Sequence, residues 1–353
     1  VTAPVRIGLV GYGFGGRHFH APLLASAPEC EFMGVVTTFP ERRRQVADRW
    51  DLPAFDSLED LAAAGAEAVA ISTPADTHLP LTRRALRLGL AVACDKPFTL
   101  DADGAREAVE LAERLGVPLT VYQNRRWDSD FLTARRLVGS GALGGLTLLE
   151  SRFERFAPEP GPPAAGGGTL LDFGSHLVDQ ALVLCGPVER VYAEAHHRDG
   201  PDGGPDGGLD DDVFVALTHR GGVRSRLWGS WRQGAPGPRF RVGGTAGAYV
   251  VDGVDGQEAL LVGGASPASE GDAWGVEPPE RWGRLMRGDE GETVPSERGA
   301  WDAFYPAFAA AVRGAGPVPV DPRDAVATAA VLDAARRSAA TGEVVRPADL
   351  REI

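Results

Sequence analysis

The chain has 353 residues, of which 43% are hydrophobic and 24% charged, a globular balance that excludes a disordered polymer and, at roughly 150 residues per domain, predicts two domains. Lys and Arg number 36 against 49 Asp and Glu, so a net charge of −13 repels polyanions and no nucleic-acid partner is expected. No apolar run reaches the length of a membrane span, and Cys30, Cys94 and Cys185 are too few and too scattered for a disulfide framework or a thiolate zinc site.

The opening Val1-Thr2-Ala3-Pro4-Val5-Arg6 enters a strand-like run without the features of an export signal, so a cytoplasmic location is expected. Short β-rich runs at 6–10, 31–37, 68–72, 90–94 and 118–122 then alternate with helical segments at 40–50, 77–88 and 103–115. That alternation predicts a doubly wound parallel sheet, an α/β Rossmann domain over 1–123. Beyond Trp127 the texture changes to a helix at 131–138, a strand at 146–155, a Pro/Gly-rich loop at 157–168 read as a mobile rim, and a helix at 169–184. Strand-like runs at 189–195, 213–218, 223–231, 239–242 and 248–251 follow without intervening helices, which predicts an α+β domain over 124–353 with a mostly antiparallel sheet. A flexible turn is expected at 198–208, and helices at 301–313 and 322–340 close the chain.

Chemistry concentrates at the ends of the first strands. Gly11-Tyr12-Gly13-Phe14-Gly15-Gly16 follows a strand and opens a helix, the context in which glycines at this spacing permit a tight turn, close approach of backbone to a pyrophosphate and helix–strand packing. After the second strand the acid that usually binds the ribose 2′-hydroxyl is missing; Thr37, Thr38, Arg42 and Arg43 stand there instead. Guanidinium groups match a 2′-phosphate, so NADP is the expected cofactor with NAD as the alternative, unless Arg42–Arg44 merely form a solvated helix face. Ser72-Thr73-Pro74 with His78, and Asp95-Lys96-Pro97, close the third and fourth expected strands, where such sheets bind ligands. Asp172 and His176 lie one helical turn apart. His18 and His20 read as packing or cofactor-edge residues, and Asp210-Asp211-Asp212 as a solvated turn, so no metal is expected.

The glycine turn with Arg17-His18-Phe19-His20-Ala21-Pro22, the Ser72–His78 segment, Asp95-Lys96-Pro97, Asn124-Arg125-Arg126-Trp127 and Gly168…Asp172-Phe173-Gly174-Ser175-His176 together resemble the glucose–fructose oxidoreductase/inositol dehydrogenase/MocA family over nearly the whole chain. The resemblance implies a hydride transfer between a nicotinamide and a secondary alcohol or ketone of a sugar, inositol or related polyol. It implies Lys96, Asp172 and His176 as catalytic residues, with Asn124 at the cofactor and Arg125 and Trp127 toward the substrate. It further implies a homodimer or homotetramer. Asp95 stands where the family has Glu.

Elementary chemistry agrees with those roles. Alcohol oxidation needs a base for the hydroxyl proton, which imidazole supplies near neutral pH, and a cation to stabilise charge on the oxygen. His176 is the expected base, Lys96 the oxygen ligand and Asp172 the orienting acid, with proton transfer through Lys96 left open. Trp127 suits stacking on a polyol or interdomain packing equally. Two other functions remain open: a non-catalytic nucleotide-sensing regulator of the same fold, and an NAD-dependent glycosidase.

Overall fold

The computed structural model describes residues 3–159, 161–197 and 208–348. The turn expected at 198–208 lies outside these except for Gly208. Two compact units are formed: residues 1–124, 256–274 and 300–326 make the first, and 125–255, 275–299 and 327–353 the second. Two stretches from the C-terminal half therefore return to the first unit.

In the first unit β1 (Val5–Val10), α1 (Ala21–Ser26), β2 (Cys30–Val36), α2 (Pro40–Trp50), β3 (Ala54–Phe55), α3 (Leu58–Ala63), β4 (Ala68–Ile71), α4 (His78–Arg87), β5 (Ala91–Cys94), α5 (Ala102–Leu115) and β6 (Leu119–Val121) alternate as expected. The two-residue edge strand β3 is an addition to the sequence reading. All pairings are parallel, in the order β3-β2-β1-β4-β5-β6. Strands β4 (AVAI) and β5 (AVAC) are buried throughout, as a parallel sheet covered on both faces requires. Local chemistry sets the helix limits. Asp101 caps α5 by accepting from Gly104 N at 2.7 Å, Gly116 ends it at φ 65°, and α2 starts on Pro40. The order of the strands reverses between β1 and β4, so the crevice where such sheets take ligands lies at their carboxyl ends.

The second unit begins with α6 (Ser129–Gly139), β7 (Leu146–Glu154), α7 (Thr169–Cys185), β8 (Val188–His197), β9 (Asp210–His219), β10 (Arg224–Ser230), β11 (Phe240–Gly244) and β12 (Gly247–Val251). The short helices α8 (Gln257–Val262) and α9 (Pro267–Glu270) belong to the first unit, as does α10 (Phe304–Val312). Strands β13 (Gly283–Arg287) and β14 (Glu290–Val294) complete the second sheet, and α11 (Pro322–Thr341) runs near the end of the chain. The sheet has eight strands in the order β14-β13-β12-β11-β7-β10-β9-β8; β7 and β10 pair in parallel and the others antiparallel. Burial alternates strictly along β9, so alternate side chains, Val213, Val215 and Leu217 among them, enter a core shared with Phe173, Leu177 and Val178 of α7. The hairpin β13–β14 was not apparent from sequence. Four of the five β14 residues are exposed, so this edge lacks the alternation that marks a half-buried strand.

Candidate active site

The glycine turn is built as its residue types demand. Gly11 has φ 92°, and a Cβ there would sit 2.2 Å from Ser72 O; a Cβ on Gly16 would sit 2.4 Å from Gly11 O. These two glycines make the bend and its packing against β4. A Cβ on Gly13, by contrast, meets nothing within 4 Å. The backbone at Gly13 thus borders open space above the turn, the arrangement a pyrophosphate-bearing cofactor needs. Tyr12 is buried and accepts a hydrogen bond from Trp50 Nε1 at 2.8 Å, whereas Phe14 is exposed.

Around this turn the fold gathers the ends of β4 and β5. Gly15 abuts both Ser72 Oγ and Asp95 Oδ2, at 2.8 and 3.2 Å from its would-be Cβ, and Ser72 Oγ donates to Asp95 Oδ2 at 2.9 Å. His20 lies 3.3 Å from the same carboxylate through Nε2, while its Nδ1 meets Tyr305 OH of α10 at 2.5 Å. The other oxygen, Oδ1, accepts from Lys96 N at 2.8 Å. Burial works to raise the Asp95 carboxyl, but the hydrogen bond and charge of His20, with Lys96 and His78, outweigh it and hold the group at about 2. Asp95 is an ionised hub. The shorter side chain, a departure from the family's Glu, is met by His20, which Tyr305 holds from its other side; that relay was not foreseen, because Tyr305 lies 285 positions from His20.

Beside this hub, His78 is buried between Pro97 O and Thr73 O, and Thr73 Oγ1 accepts from Thr77 Oγ1 at 2.6 Å. Pro74 is exposed, Asn124 is buried at the end of the first unit, and the Lys96–Pro97 peptide is cis.

The arginines after β2 divide. Arg43 donates to Thr37 O at 3.0 Å, to Ala54 O at 2.9 Å and to Asp56 Oδ1 at 2.5 Å, so its guanidinium laces β2 to β3. Arg42 lies over the exposed Phe39 ring, 4.4 Å from its centroid, with Thr38 exposed nearby in sequence.

In the second unit Asp172 and His176 lie one turn apart on α7. Asp172 is half-buried beside Gly166, and His176 is 5% exposed and stacked on Phe153, with ring centroids 6.2 Å apart at 18°. The Arg125 guanidinium caps the same Phe153 ring at 4.5 Å and pairs with Asp128 at 3.1 Å, while its carbonyl accepts from Gln180 Nε2. Burial, followed by Asp255 and Asp130, drives the Asp128 carboxyl upward against the pull of Arg125 and Arg239. Trp127 is half-buried in the short helix Asn124–Trp127.

The acids at 210–212 correct the sequence reading. They are not a solvated turn but the start of β9. Asp211 is 1% exposed and pairs with Arg232 at 2.7 Å; Asp210 accepts from Leu170 N at 2.5 Å and from Thr169 Oγ1 through its carbonyl. Asp210 therefore caps the helix that carries Asp172 and His176. Gly168 adjoins it with φ 97°, where a Cβ would lie 2.0 Å from Asp210 Oδ1.

Residues 5–123 match the oxidoreductase family with an NAD-binding Rossmann fold, and residues 131–250 match the GFO/IDH/MocA C-terminal domain. The chain belongs to the Gfo/Idh/MocA oxidoreductase family. Among its relatives, scyllo-inositol 2-dehydrogenase (NADP(+)) IolW of Bacillus subtilis is 31% identical over 345 residues, 95% of this chain and 93% of that protein. Inositol 2-dehydrogenase of Rhizobium meliloti is 31% identical over 256 residues, 70% and 76% of the two chains. A solved protein from Klebsiella pneumoniae has a TM-score of 0.88 at 34% identity, covering 99% of this chain and 97% of that one. The chain is an NAD(P)-dependent oxidoreductase.

Proposed function

We propose that this oxidoreductase prefers NADP and moves hydride between the nicotinamide and a secondary alcohol or ketone of a sugar, inositol or related polyol. The observation that carries the reading is the open backbone at Gly13 beside the ordered Ser72–Asp95–Lys96 corner, a cradle next to a cation at the carboxyl end of the sheet. The names of the two inositol dehydrogenase relatives support the polyol class, and Arg42 supports NADP.

When bound, the cofactor supplies a ring carbon that takes up or returns hydride. The residues of this chain do the rest. The Gly11–Gly16 backbone and the helix it opens receive the pyrophosphate, and Arg42 receives the 2′-phosphate. Lys96 donates a hydrogen bond to the reacting oxygen and stabilises the negative charge that grows there. His176 takes the hydroxyl proton at an imidazole nitrogen in the forward direction and returns it in reverse, with Asp172 orienting it or the substrate. The competing route gives that proton to Lys96.

A cofactor-reduction screen with NADP and NAD over cyclitols and aldoses tests the reading. Wild type is expected to reduce NADP with at least one of them, and Lys96→Ala and His176→Ala each to lose roughly hundredfold or more in kcat/KM. If both variants match wild type, the catalytic assignment fails. Sugar release from glycosides without net cofactor reduction would replace the dehydrogenase with the glycosidase.

A further inference from the structure

His78 opens α4 and is 1% exposed, with Nδ1 2.7 Å from Pro97 O and Nε2 2.9 Å from Thr73 O. Carbonyl oxygens accept hydrogen bonds and cannot donate them. A neutral imidazole has one N–H, so either tautomer would aim a bare ring nitrogen at a carbonyl lone pair in a buried site. Flipping the ring puts Cδ2 and Cε1 against the two carbonyls and so leaves both without an N–H donor. The doubly protonated ring satisfies both carbonyls at once.

The two carbonyls belong to the loops that follow the adjacent parallel strands β4 and β5. Their ladder runs to Ile71 and Cys94, and Asp95 N donates to Ile71 O at 2.8 Å just beyond it. Past that bond the loops are joined by side chains: Ser72 to Asp95, and His78 from Thr73 to Pro97. Lys96 is thereby bracketed, with Asp95 anchored on one side and Pro97 on the other. We propose that His78 is a constitutively protonated imidazolium that ties the β4 and β5 loops together and acts as a positioning residue for Lys96. The positioning half rests on the dehydrogenase reading proposed above; the charge half does not.

The ring's surroundings agree with that charge. Burial opposes it, but interaction with Cys94 of β5, including a side-chain hydrogen bond, the charge of the Asp95 carboxylate and the Pro97 carbonyl lift its pKa to about 9. A folded pKa above the ordinary 6.5 means that the stabilisation is complete below pH 6.5 and is lost as pH rises through about 9.

The experiment is nitrogen NMR of nitrogen- and carbon-labelled wild type, with the His78 ring signals assigned by through-bond correlation from its own backbone, joined to kinetics and NADPH titration of His78→Gln. Both ring nitrogens are expected to carry protons at neutral pH and to lose one as pH passes about 9. A bare His78 nitrogen at neutral pH overturns the proposal, whether or not the variant folds. In folded His78→Gln, kcat is expected to drop on the order of tenfold or more, the loss of one charge-assisted hydrogen bond, with a smaller change in KM. An unchanged kcat in a variant that is merely less stable overturns the positioning role. If wild type oxidises no polyol yet His78 carries both protons, the proposed function falls and the charge assignment stands. Positioning is then read from NADPH affinity, expected to weaken in His78→Gln and overturned if it does not.

Discussion

Replacing each glycine of the turn by alanine separates the residues that make the turn from the residue that borders the cofactor. At Gly11 the added methyl meets Ser72 O at 2.2 Å on a backbone with φ 92°. Relief requires Ser72 to move, yet Ser72 N donates to Val10 O at 2.8 Å, so β4 would have to shift from β1. Backbone strain of about 1–3 kcal/mol and overpacking of about 1–3 kcal/mol place the cost of Gly11→Ala at about 2–6 kcal/mol. Gly13→Ala meets nothing within 4 Å, so the cofactor-free protein is expected to keep its stability within about 0.5 kcal/mol. The same methyl intrudes where the backbone must approach a pyrophosphate. Losing one charge-assisted hydrogen bond there, about 1.5–3 kcal/mol, weakens NADPH binding roughly tenfold to hundredfold. Denaturant unfolding of the apo proteins and fluorescence titration with NADPH measure the two quantities. If Gly13→Ala binds NADPH as tightly as wild type, or unfolds as readily as Gly11→Ala, the division of labour among the glycines is mistaken.

Three further outcomes follow from named contacts. Arg42→Ala is expected to weaken NADP much more than NAD in competitive binding, whereas Arg43→Ala, which frees Thr37 O and Ala54 O, is expected to lower stability with little change in the NADP/NAD ratio. Equal losses for both cofactors in Arg42→Ala would remove the phosphate role. Asp95→Asn forfeits about 2 kcal/mol at neutral pH, the worth of holding the carboxyl at about 2 instead of 3.8. Because the folded pKa is depressed, this contribution is complete above pH 3.8 and is lost as pH falls through about 2, so unfolding curves of variant and wild type should converge in acid. Asp210→Ala removes the cap from α7 and is expected to cost about 1 kcal/mol in denaturant unfolding; an unchanged midpoint would show that Leu170 N finds another acceptor.

The elements that matched the sequence reading are those whose signals are local. Helix α2 was expected at 40–50 and spans Pro40–Trp50, since a proline start and helical periodicity lie within the segment itself. Strands β4 and β5 were found to within a residue because small apolar runs bounded by turn residues mark buried parallel strands. The glycine turn was readable for the same reason: the spacing that marks it lies within six consecutive residues.

Partner choice was another matter. Neither the returns of 256–274 and 300–326 to the first unit nor the bond from Tyr305 to His20 has any local signal, because the interacting groups are hundreds of positions apart in the chain. The acids at 210–212 look solvated until Arg232 and the amide of Leu170 are brought to them. Arg42 and Arg43 are adjacent and chemically identical, and their difference arises because β3 places Ala54 O and Asp56 within reach of one of them. Composition, periodicity and turn chemistry act over a few residues, and they determined the alternation of the main strands and helices of the first unit and which residues form the glycine turn, while the family was legible as a resemblance carried by five motifs. The ionic state and partners of buried polar groups depend on desolvation and on hydrogen bonds a few ångströms long, and those distances exist only once the chain has folded.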